Sequence, residues 1–405
     1  MKERIIKQFL VIEEEGSHLN AERLQGMIIA IVFFCVLLVP LCTIDWRGGE
    51  LSVAENRYLA EFPQIFDSEG RVSETLGQEL LDWFQDNLGF REDFIDLCNQ
   101  INSEILGKPI SKKVELGIDG WLYYTLEDNM NIVKNTYPNF DESVLEKICQ
   151  QQIKIKDKLA EQGIEYVLAL SPSKVSIYPE YIASGEYEIQ STPVDILADY
   201  LEAHSDLKVI RLKDALLKEK ALSDELLYFK TDTHWNWKGC YIAYEDIVEH
   251  LNKWGIMKKE PVEVSYDIGE RTGDLSVMLG KKDEDAIEKS PIWVINDQRA
   301  KLIKNGERYK MLSEYLLEED IPQGFYYENA SDIDGISMVF FADSMFGSFM
   351  LPLLAESCSD MTFVWNYKID SGLIKKLQPD VVMFSMGERY LNRMLLIQHE
   401  IIKER

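Results

Sequence analysis

Five short apolar runs that alternate with segments of helical periodicity constrain the fold of this chain more than any other feature. The runs are 164–170, 207–212, 336–342, 361–365 and 380–386. They are apolar without strict alternation, which is typical of strands buried on both faces. Helical periodicity occupies residues 142–162, 237–251 and 346–355. This order favours an α/β fold, with helices on both faces of a parallel sheet and functional residues at the carboxyl ends of its strands.

Other segments depart from this order. Residues 256–335 are charged and lack a clear period, so we predict an insertion or a loop-rich cover there. Ahead of the sheet, residues 114–116 and 121–124 have the pattern of short strands, with Asp119-Gly120 at the turn between them. Residues 73–106 have a helical pattern, which a glycine at position 89 is expected to divide into two helices.

An uncharged stretch near the N-terminus predicts a membrane segment. Residues 27–44 (MIIAIVFFCVLLVPLCTI) contain no charged side chain, and at roughly 1.5 Å per residue they reach about 27 Å, near the short limit for a span. Trp46 follows at a position that suits the interface. No small-residue cleavage site stands out, so we predict an uncleaved transmembrane signal anchor rather than a removed signal peptide. A buried core helix is the alternative.

The charges around this segment predict its orientation and the domain organisation. Basic residues precede it at positions 2, 4, 7 and 23. Acidic residues count little in the positive-inside rule, so residues 1–26 are expected to form a cytoplasmic tail. The rest of the chain would then lie outside a cell membrane that it crosses once. We predict a linker and N-terminal helices over 45–110 and a catalytic domain over 111–405.

Charge and cysteine content exclude some classes of function. The formal net charge is −27, from 70 acidic and 43 basic residues, and such a surface repels nucleic acid and anionic headgroups. We therefore predict no nucleic-acid partner. The six cysteines include no C-x-x-C pair, which argues against a zinc site and a dense disulfide framework. Buried free thiols are the favoured state, and one or two disulfides remain an alternative.

Ser344 is a candidate nucleophile. It follows the apolar run 336–341 and Ala342-Asp343, and a segment with helical character comes directly after it. Backbone N–H groups at such a strand-to-helix turn can stabilise an oxyanion beside a hydroxyl nucleophile, which is what acyl transfer requires. Asp343 is expected to cap the helix or tighten the turn. An ordinary helix-capping serine is the alternative.

The segment 230–239 (KTDTHWNWKG) supplies a candidate base. In extended backbone, residues two apart share a face, so Asp232 can orient the imidazole of His234 and leave its other ring nitrogen for the nucleophile. Asn236 is expected to cap the following helix. A structural histidine is the alternative. No nearby cluster supplies further metal ligands, so we predict no metal site.

Six motifs follow one another along the chain. They are 114–124 (VELGIDGWLYY), 171–179 (SPSKVSIYP), 231–236 (TDTHWN), 273–280 (GDLSVMLG), 342–346 (ADSMF) and 379–391 (PDVVMFSMGERYL). In this order they resemble the alginate O-acetyltransferase type (AlgX/AlgJ-like) of SGNH-hydrolase-like protein, including the DHHW proteins. The resemblance covers roughly residues 80–395.

This resemblance implies a flavodoxin-like SGNH-hydrolase-like fold in which the aspartate and histidine precede the serine. It implies Ser344 as nucleophile, His234 as general base and Asp232 as the residue that orients His234. The chain departs from the usual Gly-Asp-Ser block by having Ala342 at its start, and no asparagine of an oxyanion hole is identifiable. Backbone N–H groups near Ser344 are the expected donors.

The resemblance also implies a function. It predicts an extracytoplasmic O-acetyltransferase that acts on a cell-surface or exported polysaccharide, without a cofactor, and receives acetyl groups through a membrane-bound O-acyltransferase. Lys174, Trp235 and Arg389 are candidate substrate-binding residues, with a core tryptophan and a Glu388–Arg389 neighbour pair as the structural alternatives. A carbohydrate O-acetyl esterase with the same triad and a non-catalytic glycan-binding or envelope-assembly protein are the alternative functions.

Overall fold

The structure is a computed structural model that divides the chain into two compact units, residues 1–110 and 111–405. The residues described are 24–36, 38–46, 51–52, 57–63, 65, 72, 76–91, 93–94, 97, 113–126, 131–132, 140–183, 191–279, 281, 287–318, 321–322, 324–331, 335–347 and 349–402. Most of the predicted cytoplasmic tail and the last part of the predicted N-terminal helices, residues 98–110, lie outside these ranges. The predicted domain boundaries remain predictions.

The first unit contains the apolar segment. Helix α1 (Leu24–Cys42) is long and apolar enough to cross a membrane, and only 6% of its apolar window is buried within the structure. A signal sequence and an anchor share these properties. Helix α2 (Leu76–Asn87) ends just before Gly89, as the sequence predicted. Its Asn87 donates to the Ala60 carbonyl at 2.6 Å, which ties the preceding chain to the end of this helix.

The second unit begins with the predicted hairpin. Strands β3 (Val114–Leu116) and β4 (Leu122–Tyr124) pair antiparallel. The turn between them requires positive φ at Asp119 (54°) and Gly120 (81°), which aspartate tolerates and glycine adopts freely. The Leu122 N–H donates to the Lys230 carbonyl, so the hairpin packs against the segment that carries His234.

Helices and strands alternate from residue 142 onward. With β1 (Leu51–Ser52) and β2 (Arg57–Tyr58) in the first unit, the strands continue as β5 (Glu165–Ser171), β6 (Lys208–Arg211), β7 (Val264–Thr272), β8 (Ile287–Ile295), β9 (Lys301–Leu302), β10 (Leu317–Glu318), β11 (Ile321–Pro322), β12 (Gly324–Glu328), β13 (Ser337–Phe341), β14 (Asp360–Val364) and β15 (Val381–Gly387). The helices are α3 (Glu142–Ala160), α4 (Lys174–Ile177), α5 (Pro193–His204), α6 (Leu212–Leu222), α7 (Trp237–Lys253), α8 (Asp274–Met278), α9 (Glu307–Leu316), α10 (Ser344–Gly347), α11 (Leu351–Glu356) and α12 (Ser371–Leu377).

The central sheet has seven strands in the order β6-β5-β15-β13-β14-β12-β9. The first five are parallel, so the predicted parallel sheet is confirmed. Strands β12 and β9 extend it with antiparallel pairs. Both lie in the region predicted as an insertion, which also contains the long antiparallel hairpin β7–β8. Part of that region therefore belongs to the sheet, and another part forms a regular hairpin.

Two hydrophobic clusters lie on opposite faces of the sheet. On β5, Val167 and Ala169 face one cluster, whereas Leu168 and Leu170 face the other. Helices α6, α7 and α11 pack on the first face, and α3, α5 and α12 on the second. Each fully buried Leu or Phe side chain contributes about 1.5–3 kcal/mol, so this double burial stabilises the strands whose carboxyl ends form the site. The predicted helices on both faces are confirmed.

Candidate active site

Ser344 lies at the carboxyl end of β13, at the first position of α10. The preceding Asp343 fixes this turn. Its Oδ1 accepts from the Met345 N–H at 2.9 Å, and its Oδ2 accepts from the Gly387 N–H at 2.9 Å and from the Tyr367 hydroxyl at 2.7 Å. Asp343 thus tightens the turn, as predicted, and also ties it to the end of the neighbouring strand β15.

The structure brings Ser344, His234 and Asp232 together. His234 Nε2 lies 2.9 Å from Ser344 Oγ, and His234 Nδ1 lies 2.6 Å from Asp232 Oδ1. Asp232 is 0% exposed and His234 is 8% exposed. With the proton on Nδ1, the imidazole donates to Asp232 and its Nε2 can accept the proton of the Ser344 hydroxyl. The three side chains therefore form one continuous hydrogen-bonded relay.

Local packing holds the segment that carries His234. Asn236 caps α7 by accepting from the Gly239 N–H at 2.9 Å, which confirms the predicted cap. A Cβ atom at Gly239 would lie 2.1 Å from the Leu227 carbonyl oxygen, so only glycine fits this close approach. The isolated bridge between Tyr228 and Trp235 closes the loop on its other side.

Two residues that the sequence analysis did not identify bind Asp232 from the β7 side. Arg271 Nε donates to Asp232 Oδ2 at 2.6 Å, and the Asp274 N–H donates to the same oxygen at 3.2 Å. Asp274 lies in the Gly-Asp-Leu motif, so that motif was the available signal for it. Nothing in the sequence distinguishes Arg271 from the other charged residues of its region.

The same hairpin also holds the residues on either side of Asp232. The Asp274 carboxylate accepts from the Thr233 N–H at 2.8 Å and from the Thr233 hydroxyl. Glu288 on β8 accepts from the N–H groups of Lys230 (2.9 Å) and Thr231 (3.0 Å). The β7–β8 region therefore fixes the His234 segment in place through hydrogen bonds with its charged residues.

Burial and the neighbouring charges shift the pKa values of Asp232, His234 and Asp274. Burial alone would raise the pKa of Asp232, but His234 and Arg271 together hold it well below its usual range. Burial opposes protonation of His234, yet the carboxylates of Asp232 and Asp274 outweigh it and raise the pKa of the imidazole above 6.5. Burial and the nearby Asp232 charge raise the pKa of Asp274. Asp232 is therefore a carboxylate whenever His234 is neutral.

Ser344 and His234 open into a cleft with an empty volume of about 440 Å³, part of it open to solvent. The lining residues come from the hairpin β3–β4, from the ends of β5, β13 and β15, and from the His234 segment. The ends of β5, β13 and β15, each of which carries one of the sequence motifs, therefore meet at one edge of the sheet.

Lys174, a predicted substrate-binding residue, lines this cleft but is itself buried. Its Nζ donates to the carbonyls of Phe229 (3.2 Å), Lys230 (3.0 Å) and Asp232 (2.7 Å). Burial lowers its pKa to about 8, against the neighbouring carboxylates. An ammonium has three N–H donors, and all three are used here. In this geometry Lys174 holds the Asp232 segment rather than a ligand.

Trp235 and Arg389 differ in their placement. Trp235 is 0% exposed, packs edge-on against Phe346 at 5.3 Å and does not line the cleft. The structural alternative, a core tryptophan, describes its position. Arg389 lines the cleft beside Ser344. The neighbour-pair alternative for Arg389 is wrong, because the Glu388 carboxylate accepts instead from the Ser173 N–H and the Ser176 hydroxyl.

Asp232, His234 and Asp274 offer ligand atoms within 4.8 Å of one another, so a metal ion has to be considered. The Asp232 oxygens already accept from His234, from its backbone N–H and from the cationic Arg271. A second cation at this position would be repelled by Arg271 and would have to displace the bonds that orient His234. The hydrogen bonds alone account for the close approach of the three side chains.

Comparison with known proteins places these residues in context. Residues 114–302 match the family model described as an SGNH hydrolase-like domain, acetyltransferase AlgX. The match includes Asp232 and His234 and ends before Ser344. The chain is 29% identical over 172 residues to the probable alginate O-acetylase AlgJ of Pseudomonas fluorescens. That match covers 41% of this chain and 41% of the relative, so it spans less than half the length of either protein.

Two solved structures are also similar to this chain. The O-acetyltransferase domain of Pseudomonas putida AlgJ is 19% identical, with a TM-score of 0.43, over 69% of this chain and 92% of that one. Bacillus cereus PatB1 is 17% identical, with a TM-score of 0.49, over 71% and 98%. Both TM-scores are below 0.5, so neither structure is a basis for assigning an activity. The family model and the AlgJ relative confirm the resemblance that the motifs predicted.

Proposed function

Because residues 114–302 match an SGNH hydrolase-like acetyltransferase domain, we propose that this chain is a serine-dependent O-acetyltransferase acting on a polysaccharide. The observation that carries the proposal is the relay from Asp232 through His234 to Ser344, with hydrogen bonds of 2.6 and 2.9 Å. An alginate O-acetylase among the relatives supports a polysaccharide as the acceptor. Ser344 is proposed as nucleophile, His234 as general base and Asp232 as the residue that orients it.

The proposed reaction has two steps. His234 Nε2 takes the hydroxyl proton as Ser344 Oγ attacks the acetyl carbonyl, and the bond between the acetyl carbon and the donor oxygen breaks. His234 then returns the proton to the leaving group. In the second step His234 deprotonates a sugar hydroxyl, whose oxygen attacks the carbonyl carbon of acetyl-Ser344. The bond between that carbon and Ser344 Oγ breaks, and His234 returns the proton to Oγ. The carboxylate of Asp232 stabilises the imidazolium that forms in both steps.

The cellular arrangement is part of the proposal. Helix α1 would anchor the chain in the cell membrane as a single span, with the catalytic unit on the extracytoplasmic side. A membrane-bound O-acyltransferase would supply the acetyl group, because an acetyl donor made in the cytoplasm has to be passed across the bilayer. The apolar character of α1 and the resemblance to the AlgX and AlgJ type support this arrangement.

An assay with an acetyl-ester donor and a polysaccharide acceptor tests the function. We expect acetylated polymer to accumulate with the wild-type chain and not with Ser344→Ala. Release of free acetate at the same rate, without acetylated polymer, would favour an O-acetyl esterase in which water replaces the sugar. Unchanged transfer by Ser344→Ala would contradict the serine mechanism. If the wild-type chain produced neither acetylated polymer nor free acetate, a non-catalytic glycan-binding role would be favoured. Asp370→Asn is a suitable control, because asparagine caps α12 as well as aspartate does.

A further inference from the structure

Two backbone N–H groups near Ser344, those of Met345 and Gly387, already have acceptors within the protein. Acyl transfer places negative charge on the acetyl carbonyl oxygen, and this charge needs hydrogen-bond donors. The Met345 N–H donates to Asp343 Oδ1, and the Gly387 N–H donates to Asp343 Oδ2, both at 2.9 Å. These two groups therefore stabilise the Ser344 turn and are not available to the carbonyl oxygen, so a side chain that lines the cleft is a further source of donors.

Two of the described residues that line the cleft have basic side chains of the Lys or Arg type, Lys174 and Arg389. Three backbone carbonyls use the donors of Lys174. Arg389 differs, because among the residues that the structure describes it forms no hydrogen bond and no ion pair. A guanidinium has five N–H donors. A cation that lines the same cleft as the proposed nucleophile, with uncommitted donors, is an arrangement that fits a ligand oxygen.

Aromatic rings hold Arg389 in place without using its donors. The guanidinium carbon lies 5.3 Å from the centre of the Tyr124 ring and 5.0 Å from that of Tyr390. Such stacking leaves the N–H edge of the guanidinium free to donate in its own plane. The Arg389 charge also opposes the protonation of His234, although the two nearby carboxylates outweigh it and the pKa of the imidazole is raised overall.

We propose that Arg389 is a catalytic residue that donates hydrogen bonds to the acetyl carbonyl oxygen and stabilises the oxyanion formed when Ser344 attacks. This inference rests on the proposed function, and it assigns Arg389 as a charged donor of the oxyanion hole. The guanidinium compensates the new negative charge during the first step and again when the sugar hydroxyl attacks acetyl-Ser344. Removal of one oxyanion donor typically lowers kcat by about 100- to 1,000-fold.

The half-reaction with p-nitrophenyl acetate tests this role without the polysaccharide. We expect the release of p-nitrophenol by Arg389→Gln to be about 100- to 1,000-fold slower than by the wild type, with Arg389→Lys in between. Added guanidinium ion, at concentrations well below those that unfold the protein, should restore part of the rate of Arg389→Ala. Arg393→Gln is the matched control, since Arg393 stacks on the same Tyr390 ring at 5.8 Å but does not line the cleft.

A folded Arg389→Gln or Arg389→Lys that releases p-nitrophenol at the wild-type rate would overturn the inference. A normal half-reaction combined with weaker binding of the polysaccharide would also overturn it, because Arg389 would then contact the acceptor. Loss of the charge should in addition move the acidic limb of the rate profile to higher pH, because Arg389 opposes protonation of His234. Ser344→Ala in the same assay separates the two proposals, since wild-type release by that variant would refute the serine mechanism itself.

Discussion

Replacing Asp232 with asparagine tests the relay at its most constrained point. Four donors meet this carboxylate: the Nδ1–H and backbone N–H of His234 on Oδ1, and Arg271 Nε and the Asp274 N–H on Oδ2. An asparagine amide has to place its NH₂ group against one of these pairs. If the NH₂ group faced Arg271, two hydrogen-bond donors would meet, one of them the charged guanidinium. We therefore expect the NH₂ group to face His234.

That orientation reverses the tautomer of His234. The amide donates to Nδ1, the ring proton moves to Nε2, and Nε2 can no longer accept the proton of Ser344. We expect kcat to decrease by about 10⁴-fold, the size that this change of tautomer produces in a serine triad. At about 1.36 kcal/mol for each factor of ten, the loss of transition-state stabilisation is about 5.4 kcal/mol.

The rate of p-nitrophenol release from p-nitrophenyl acetate measures this loss, and circular dichroism verifies that the variant is folded. Asp370→Asn serves as the control for an aspartate-to-asparagine change outside the site. A folded Asp232→Asn that reacts within about tenfold of the wild-type rate, a difference of only about 1.4 kcal/mol, would refute the reasoning. In that case the orientation of His234 would not depend on this carboxylate.

Three further changes follow from the contacts of the site. The carboxylates of Asp232 and, to a smaller extent, Asp274 raise the pKa of His234 above 6.5, and His234 acts as a base only when neutral, so we expect the acidic limb of the kcat/KM profile above pH 6.5. Asp274→Asn should move this limb to lower pH, and an unmoved limb would contradict the contribution of Asp274. In Gly387→Ala the new Cβ would lie 2.8 Å from Asp343 Oδ2 and would displace the side chain that fixes the Ser344 turn. We therefore expect p-nitrophenol release to slow by about 10- to 100-fold, whereas an unchanged rate would show that the turn tolerates this displacement. Lys174→Met leaves three backbone carbonyls without their donor. We expect the free energy of unfolding, measured in urea, to decrease by at least about 2 kcal/mol, whereas an unchanged value would show that Lys174 does not stabilise the Asp232 segment.

The parallel part of the sheet could be predicted because its strands are buried on both faces. The apolar run 164–170 corresponds to β5 (Glu165–Ser171), and 336–342 contains β13 (Ser337–Phe341). Strand β12 (Gly324–Glu328) was not predicted, because it is short and only partly buried and its partner β14 comes later in the chain. Such antiparallel additions at the side of a sheet leave no periodic signal in the sequence.

The candidate site was predictable only where its residues are close in sequence or part of a motif. The spacing of Asp232 and His234 indicated a shared face, and the Ser344 turn followed from an apolar strand. Arg271 approaches Asp232 from a hairpin 39 positions further along the chain, so only the fold reveals it. Trp235 shows the limit of the motif, because it is adjacent to His234 in the sequence but its side chain is 0% exposed and lies in the core.

Peptide mass spectrometry after brief incubation with an acetyl donor and a rapid acid quench tests the central claim most directly. We expect one acetyl group on Ser344 in the wild-type chain, and we expect this adduct to be absent from His234→Ala because the hydroxyl is no longer deprotonated. Addition of the polysaccharide acceptor should remove the adduct. Acetylated polymer formed without any modification of Ser344, or equal acetylation of Ser344 in folded His234→Ala, would contradict the account.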